Sequence, residues 1–209
     1  MDITITIFSL IILLFSVVIH ELAHGSVANS LGDPTAKYEG RLTLNPLKHL
    51  DMFGSIILPL LLLFATAGQG PVFGWAKPVP INPYNFKDQK WGSLKVALAG
   101  PLSNFALALV FGLLLRFAPY GLLAQAPGIF LMFSFIVQIN IMLAIFNLVP
   151  IPPLDGSHIF LELLPRQFDR LKLFVRQYGL YLLLFFIFFG GLQFIASIVQ
   201  TIFSLITGM

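Results

Sequence analysis

The stretch Val17-Val18-Ile19-His20-Glu21-Leu22-Ala23-His24-Gly25 closes an apolar run that starts at Ile3. His20 and His24 are four residues apart, so a helix stacks both imidazoles on one face. That spacing gives a zinc ion two ligands from one turn, with Glu21 beside them as candidate general base. Ionisable groups at membrane depth are expensive and mark a functional site by default.

The rest of the chain fits a membrane setting. Of 209 residues, 57% are hydrophobic and only 10% charged, against about 25% charged in soluble domains. Mean hydropathy is +0.91. We read residues 1–209 as a single integral membrane domain, with a catalytic core over about 1–164 and a C-terminal helical segment over about 177–207. The chain has no cysteine. This excludes disulfides and leaves only histidine and carboxylate for a zinc site. The net charge of +3 includes no long basic tract, so nucleic acid is not an expected partner. The first apolar run has Asp2 as its only early charge and reaches His20 without a small-residue cleavage site; it reads as a retained helix.

The pattern predicts an all-α polytopic membrane protein of about five to six transmembrane helices, with a re-entrant hairpin and short membrane-associated β segments. Residues 4–31 form the first helix, stopped at Leu31-Gly32-Asp33-Pro34. Residues 36–46 alternate and predict a short strand. Residues 52–67 are apolar, interrupted by Pro59 and short of the roughly 20 residues a crossing needs, so 52–80 reads as re-entrant. Lys77-Pro78-Val79-Pro80 is extended chain. Residues 93–118 and 127–149 are transmembrane, and 157–164 is a short helix. Arg166, Arg170, Lys172 and Arg176 form a basic connector. Residues 178–207 are apolar, with Gly190-Gly191 a candidate kink. With the hairpin re-entrant, every basic cluster lies on one side. Positive charge collects on the cytoplasmic side, which puts both termini outside.

Catalytic zinc takes three protein ligands and leaves a position open. Asp155 is the candidate third ligand. It sits in a Pro-Pro-Leu-Asp-Gly break at the end of a helix, and the proposed topology brings it to the same cytoplasmic end as His20 and His24. Capping the following helix is its alternative role. Zinc would polarise a scissile carbonyl and acidify a water, Glu21 would move the proton, and Asn147 would donate to the oxyanion, with satisfying carbonyls freed near the proline break as its alternative role. Asn140 reads as an interhelical hydrogen bond, and Ser103 and Asn104 as close-packing residues. His49 reads as a polar boundary residue. His158 could support the ligands from the next turn or pair with Glu162. Lys77, Pro78 and Val79 are candidate substrate contacts through β-addition.

Four segments carry a resemblance: His20-Glu21-Leu22-Ala23-His24, Gly74-Trp75-Ala76-Lys77-Pro78-Val79-Pro80-Ile81-Asn82-Pro83, Ala99-Gly100-Pro101-Leu102-Ser103-Asn104, and the stretch from Asn147 through Pro150, Pro152, Pro153 and Asp155 to Gly156. In this order they resemble the site-2 protease family of intramembrane zinc metalloproteases, in its short bacterial or archaeal type without a PDZ domain. Asp51-Met52 stands where the family pattern has Asp-Pro. The resemblance implies one zinc per chain on His20, His24 and Asp155, catalysis by Glu21, and a substrate or oxyanion role for Asn147. It also implies membrane-protein substrates cut in their transmembrane segments, in a plasma membrane, with the site toward the cytoplasm. A non-catalytic scaffold of the same fold and a zinc-dependent lipid hydrolase are the competing functions. The intact His-Glu-x-x-His and Asp155 speak against the scaffold.

Overall fold

A computed structural model describes residues 3–66, 74–119 and 126–209. The Gly-Gln-Gly-Pro stretch at 68–71 and most of the charge-free 119–126 loop lie outside the described residues.

Helix α1, Ile3–Ser30, spans about 42 Å at 1.5 Å per residue, enough to cross the roughly 30 Å hydrocarbon core. It ends where Gly32 takes φ +106, a left-handed conformation suited to glycine. The chain then turns into a short helix, α2 (Thr35–Tyr38). Residues 36–46 are therefore not the expected strand. The Asp33 carboxylate accepts from the Thr35 amide at 3.2 Å and starts a helical turn, while Gly40 at φ +63 breaks any extended run. No strand forms among the described residues.

A π-type turn, Met52–Ile57, leads into α3, Leu58–Ala65. Asp51 caps it, accepting from the Gly54 amide at 2.6 Å, and Pro59 falls in the first turn of α3, where a missing N–H costs little. Together these 14 residues reach about 21 Å, too short to cross. Met52, Phe53, Leu60, Leu61 and Phe64 are exposed. The unit is tied back by the Trp75 amide donating to Gly54 O at 3.1 Å and by Ser55 Oγ donating to Trp75 O at 2.7 Å.

The main body continues with α4 (Gly92–Phe117), α5 (Pro127–Asn147), α6 (Asp155–Leu163), α7 (Asp169–Phe186) and α8 (Leu192–Thr207). Among the described residues, four units are long and apolar enough to cross a membrane: α1, α4, α5 and the kinked 169–207 unit. The 169–207 unit holds two helices, α7 and α8, joined at a kink where Phe189 and Gly190 leave helical geometry. Taken separately, α7 has 18 residues and α8 has 16, about 27 Å and 24 Å. The first turns of α7, with Arg170, Lys172 and Arg176, are helix rather than a connector. The kink falls as expected at Gly190, with φ 95, beside Phe189.

Helix α4 lies between α1 and α5. Ala108 and Leu115 of α4 pack with Val137 and Ile141 of α5 and with Phe203 and Ile206 of α8. Below this apolar layer runs a buried polar one. Asn104 Nδ2 donates to Asn140 Oδ1 at 2.8 Å and to Ser16 O at 3.1 Å, and Asn140 Nδ2 donates to Ser16 Oγ at 2.9 Å. Asn140 is the interhelical bond the sequence suggested; Asn104 is its partner. Lipid gives apolar side chains little reason to associate, so such bonds, at roughly 0.6–2 kcal/mol each, help fix which helices meet.

Residues 74–82 form an extended strap laid across the end of α1. Asp33 is its anchor, fully buried. Its carboxylate accepts from the Asn82 amide at 2.7 Å and from Asn85 Nδ2 at 2.9 Å. Burial pushes the Asp33 pKa up, but the bonds from Thr35, Asn82 and Asn85 outweigh it and hold the pKa below the ordinary carboxylate value. Its folded pKa is thus below its unfolded one. The stabilisation is complete above the unfolded value of about 3.9 and is lost as pH falls through the folded value. Thermal midpoints in detergent should therefore drop on acidification below about pH 4. Asp33→Asn should flatten that dependence and cost roughly 1–3 kcal/mol at neutral pH; an unchanged profile would remove Asp33 as the anchor.

Candidate metal centre

His20 and His24 lie on one face of α1, both 6% exposed. Asp155 reaches them from the first turn of α6. The N-cap position belongs to Leu154, and no side-chain cap bond forms there, so capping does not compete for the Asp155 carboxylate. Gly156 is needed for packing rather than for a turn: a Cβ there would sit 2.2 Å from Leu148 O.

The ring orientations follow from what each Nδ1 meets. His24 Nδ1 is 2.7 Å from the Val96 carbonyl, which only accepts, so the proton is on Nδ1. His20 Nδ1 is 2.6 Å from Asn104 Oδ1. That oxygen is assigned because Asn104 Nδ2 already donates to Ser16 O and Asn140 Oδ1. Both neutral imidazoles then present a bare Nε2 lone pair. The two Nε2 atoms are 3.0 Å apart, and Asp155 Oδ2 stands 3.0 Å from His20 Nε2 and 3.2 Å from His24 Nε2.

Three acceptors facing one another repel unless a cation lies among them. Zinc bound tetrahedrally at about 2.0–2.1 Å separates its ligand atoms by about 3.4 Å, close to the spacing seen. These three residues are a group able to hold a metal ion among the described residues, and the donor set fits zinc. Gly100 keeps the space open. A Cβ there would lie 2.4 Å from His24 Nε2 and 2.5 Å from His20 Nε2.

Glu21 turns from the ligands toward the strap, where its Oε2 accepts from the Val79 amide at 2.8 Å. Asn147 does not hydrogen-bond to the three ligands; its Nδ2 donates to Leu143 O at 3.0 Å. Lys77 and Pro78 are exposed, while the Val79 side chain is buried. The Lys77 amide donates to His49 O at 2.9 Å, so the amides of Lys77 and Val79 both have intramolecular partners. His49 is not a boundary residue. It is 1% exposed, and its Nε2 is 2.9 Å from Thr43 O, placing it beneath the strap. His158 and Glu162 are exposed on α6 and form no pair among the described residues.

Sequence reasoning assigned Asn104 to packing and overlooked the roles of Val96, Gly100 and Arg41. The available signal for Asn104 was a lone amide in an apolar helix, which requires a polar partner at membrane depth.

Two variants test the arrangement. Gly100→Ala should abolish stoichiometric zinc binding, read by metal analysis of the purified protein. Asn104→Ala should weaken zinc affinity by about 10–100-fold, the usual effect of removing a ligand's hydrogen-bond partner. Normal zinc affinity in both would refute this account of the ligands.

The comparisons agree with the site. The profile of peptidase family M50 matches residues 121–190. YwhC of Bacillus subtilis is 46% identical over 159 residues, covering 74% of this chain and 68% of the relative. MJ0611 of Methanocaldococcus jannaschii is 36% identical over 165 residues, covering 76% and 71%. Rip2 of Mycolicibacterium smegmatis is 32% identical over 148 residues, covering 68% and 52%. All three carry provisional names as zinc metalloproteases. No solved structure matches the chain. Its similarity to relatives along most of their length, together with its apolar helices, shows that the chain belongs to peptidase family M50, the site-2 protease family of membrane zinc metalloproteases.

Proposed function

We propose that this chain is an intramembrane endopeptidase that hydrolyses peptide bonds in or near the transmembrane segments of membrane proteins. One zinc would be held by His20, His24 and Asp155. The observation that carries this reading is the meeting of three acceptor atoms at 3.0–3.2 Å within a bundle of apolar helices.

Bound zinc supplies a Lewis acid that polarises a carbonyl and acidifies water. The protein's own groups do the rest. The Nδ1–H bonds to Val96 O and Asn104 Oδ1 fix both rings in the ligating tautomer. Glu21 has one oxygen on Val79 N–H, and its other oxygen has no protein partner among the described residues. That oxygen would take the proton of the attacking water and deliver it to the leaving amine. Asn147 spends one amide hydrogen on Leu143 O; its second would serve the oxyanion, a contact worth about 3 kcal/mol.

The orientation is also a proposal. Lys37, Lys48, Lys77, Lys87, Lys90 and Lys95 lie between α1 and the first turn of α4, and Arg170, Lys172 and Arg176 lie at the start of α7. If 52–80 enters and returns, all stand on one side, which the positive-inside rule makes cytoplasmic. The site then faces the cytoplasm across a plasma membrane.

The decisive experiment uses a synthetic transmembrane peptide, with a fluorophore and quencher at its ends, in detergent micelles. Wild type should carry about one zinc and cleave the peptide. Glu21→Gln should keep the zinc and lose cleavage by 10²–10⁴-fold, the range for general-base removal; Asp155→Ala should lose both. Cleavage unaffected by Glu21→Gln would overturn the mechanism. Release of fatty acid from a phospholipid, with the peptide left intact, would favour a lipid hydrolase.

A further inference from the structure

Arg41 is 4% exposed and has no carboxylate in ion-pair range among the described residues. Its guanidinium donates only to main-chain carbonyls: to Lys48 O, and through Nη2 to Lys77 O at 2.6 Å and Pro78 O at 3.0 Å. Burying a cation without an anion is costly, so its charge calls for compensation beyond the first carbonyls.

The peptide group between Pro78 and Val79 supplies it. Its oxygen end is Pro78 O, held by Arg41. Its hydrogen end is Val79 N–H, which donates to Glu21 Oε2 at 2.8 Å. One rigid peptide plane thus carries a cation on its carbonyl and an anion on its amide. Each contact polarises the group in the sense that strengthens the other. The flanking residues restrict the plane further, because Pro78 and Pro80 each fix φ and neither has an N–H. Val79 is therefore the only amide between Lys77 and Ile81. The strap has no β-ladder, so besides the flanking prolines and the buried Val79 side chain, rotation of this plane is opposed by its two end contacts and the neighbouring bond to Lys77 O.

We infer that Arg41 is a positioning residue for Glu21, acting through the Pro78–Val79 peptide group. The inference rests on the reading of Glu21 as general base, but its physical core is separable from activity. Arg41 sets where Glu21 stands; it touches neither the three ligands nor the water.

The test uses full-length, zinc-loaded protein and follows hydrogen exchange at the Val79 amide. Wild type should protect it. Arg41→Met and Glu21→Ala should each speed its exchange at least tenfold while zinc content stays at the wild-type level. On the quenched transmembrane peptide, Arg41→Met should lower kcat about tenfold or more with KM within twofold. Arg41→Lys, a point charge that cannot fork across both carbonyls, should fall between. Wild-type protection of Val79 in Arg41→Met overturns the inference. So does a rise in KM alone, which would make the strap a substrate contact, or loss of zinc, which would make Arg41 a general support of the fold. If Arg41→Met does not fold, Arg41→Lys decides by the same exchange readout. If wild type leaves the peptide intact, the protease reading fails on that probe, while the exchange result still decides the role of Arg41.

Discussion

Three acceptor atoms brought within about one hydrogen-bond length of each other make an arrangement that a cation among them would stabilise. The surrounding structure is organised by this constraint. His24 can aim Nε2 inward because Val96 O takes its other proton. His20 can do so because Asn104 does the same, and Asn104 is itself held by Ser16 and Asn140. The polar layer joining α1, α4 and α5 is therefore both helix glue and the support of a ligand. Gly100 lets α4 approach this closely. Asp155, the proposed third ligand, arrives on a short helix whose first turn favours a carboxylate through the helix dipole.

The proposed ligands and the proposed base are anchored differently. His20 and His24 are fixed by contacts inside the bundle. Glu21, between them in sequence, is fixed by an irregular strap whose attachments are side chains: Asp33 at one end and Arg41 beside the centre, with His49 contributing its main-chain carbonyl. An extended chain with prolines at 78 and 80 cannot satisfy itself through a ladder, and charged side chains do that work instead. This explains why a buried arginine and a buried aspartate stand in a chain with so few charges.

What the sequence made legible follows the range of each interaction. The His20–His24 spacing is local and was readable, as was the acid in the Pro-Pro-Leu-Asp-Gly break. The Gly190 kink is also local, since the left-handed region favours glycine. The contacts of Asn104 with His20 and of Val79 with Glu21 join residues 84 and 58 positions apart, and no periodicity encodes them. The strand expectation failed for a physical reason. The alternation over 36–46 suggested a strand, but Asp33 captured the Thr35 amide and began a helical turn.

Arg41 shows the same limit from another side. In the sequence it is one of several basic residues after α1, where a cation ordinarily marks the cytoplasmic face. Lys37 and Lys48, its basic neighbours in the chain, are exposed and suit that role. Arg41 is buried because three carbonyls from two separate segments meet there, a geometry that a planar fork of donors satisfies and a single ammonium does not. The choice of arginine at this position is thus a statement about the strap rather than about topology. The strap also carries the amide that holds Glu21, whereas His20, His24 and Asp155 make their contacts inside the bundle.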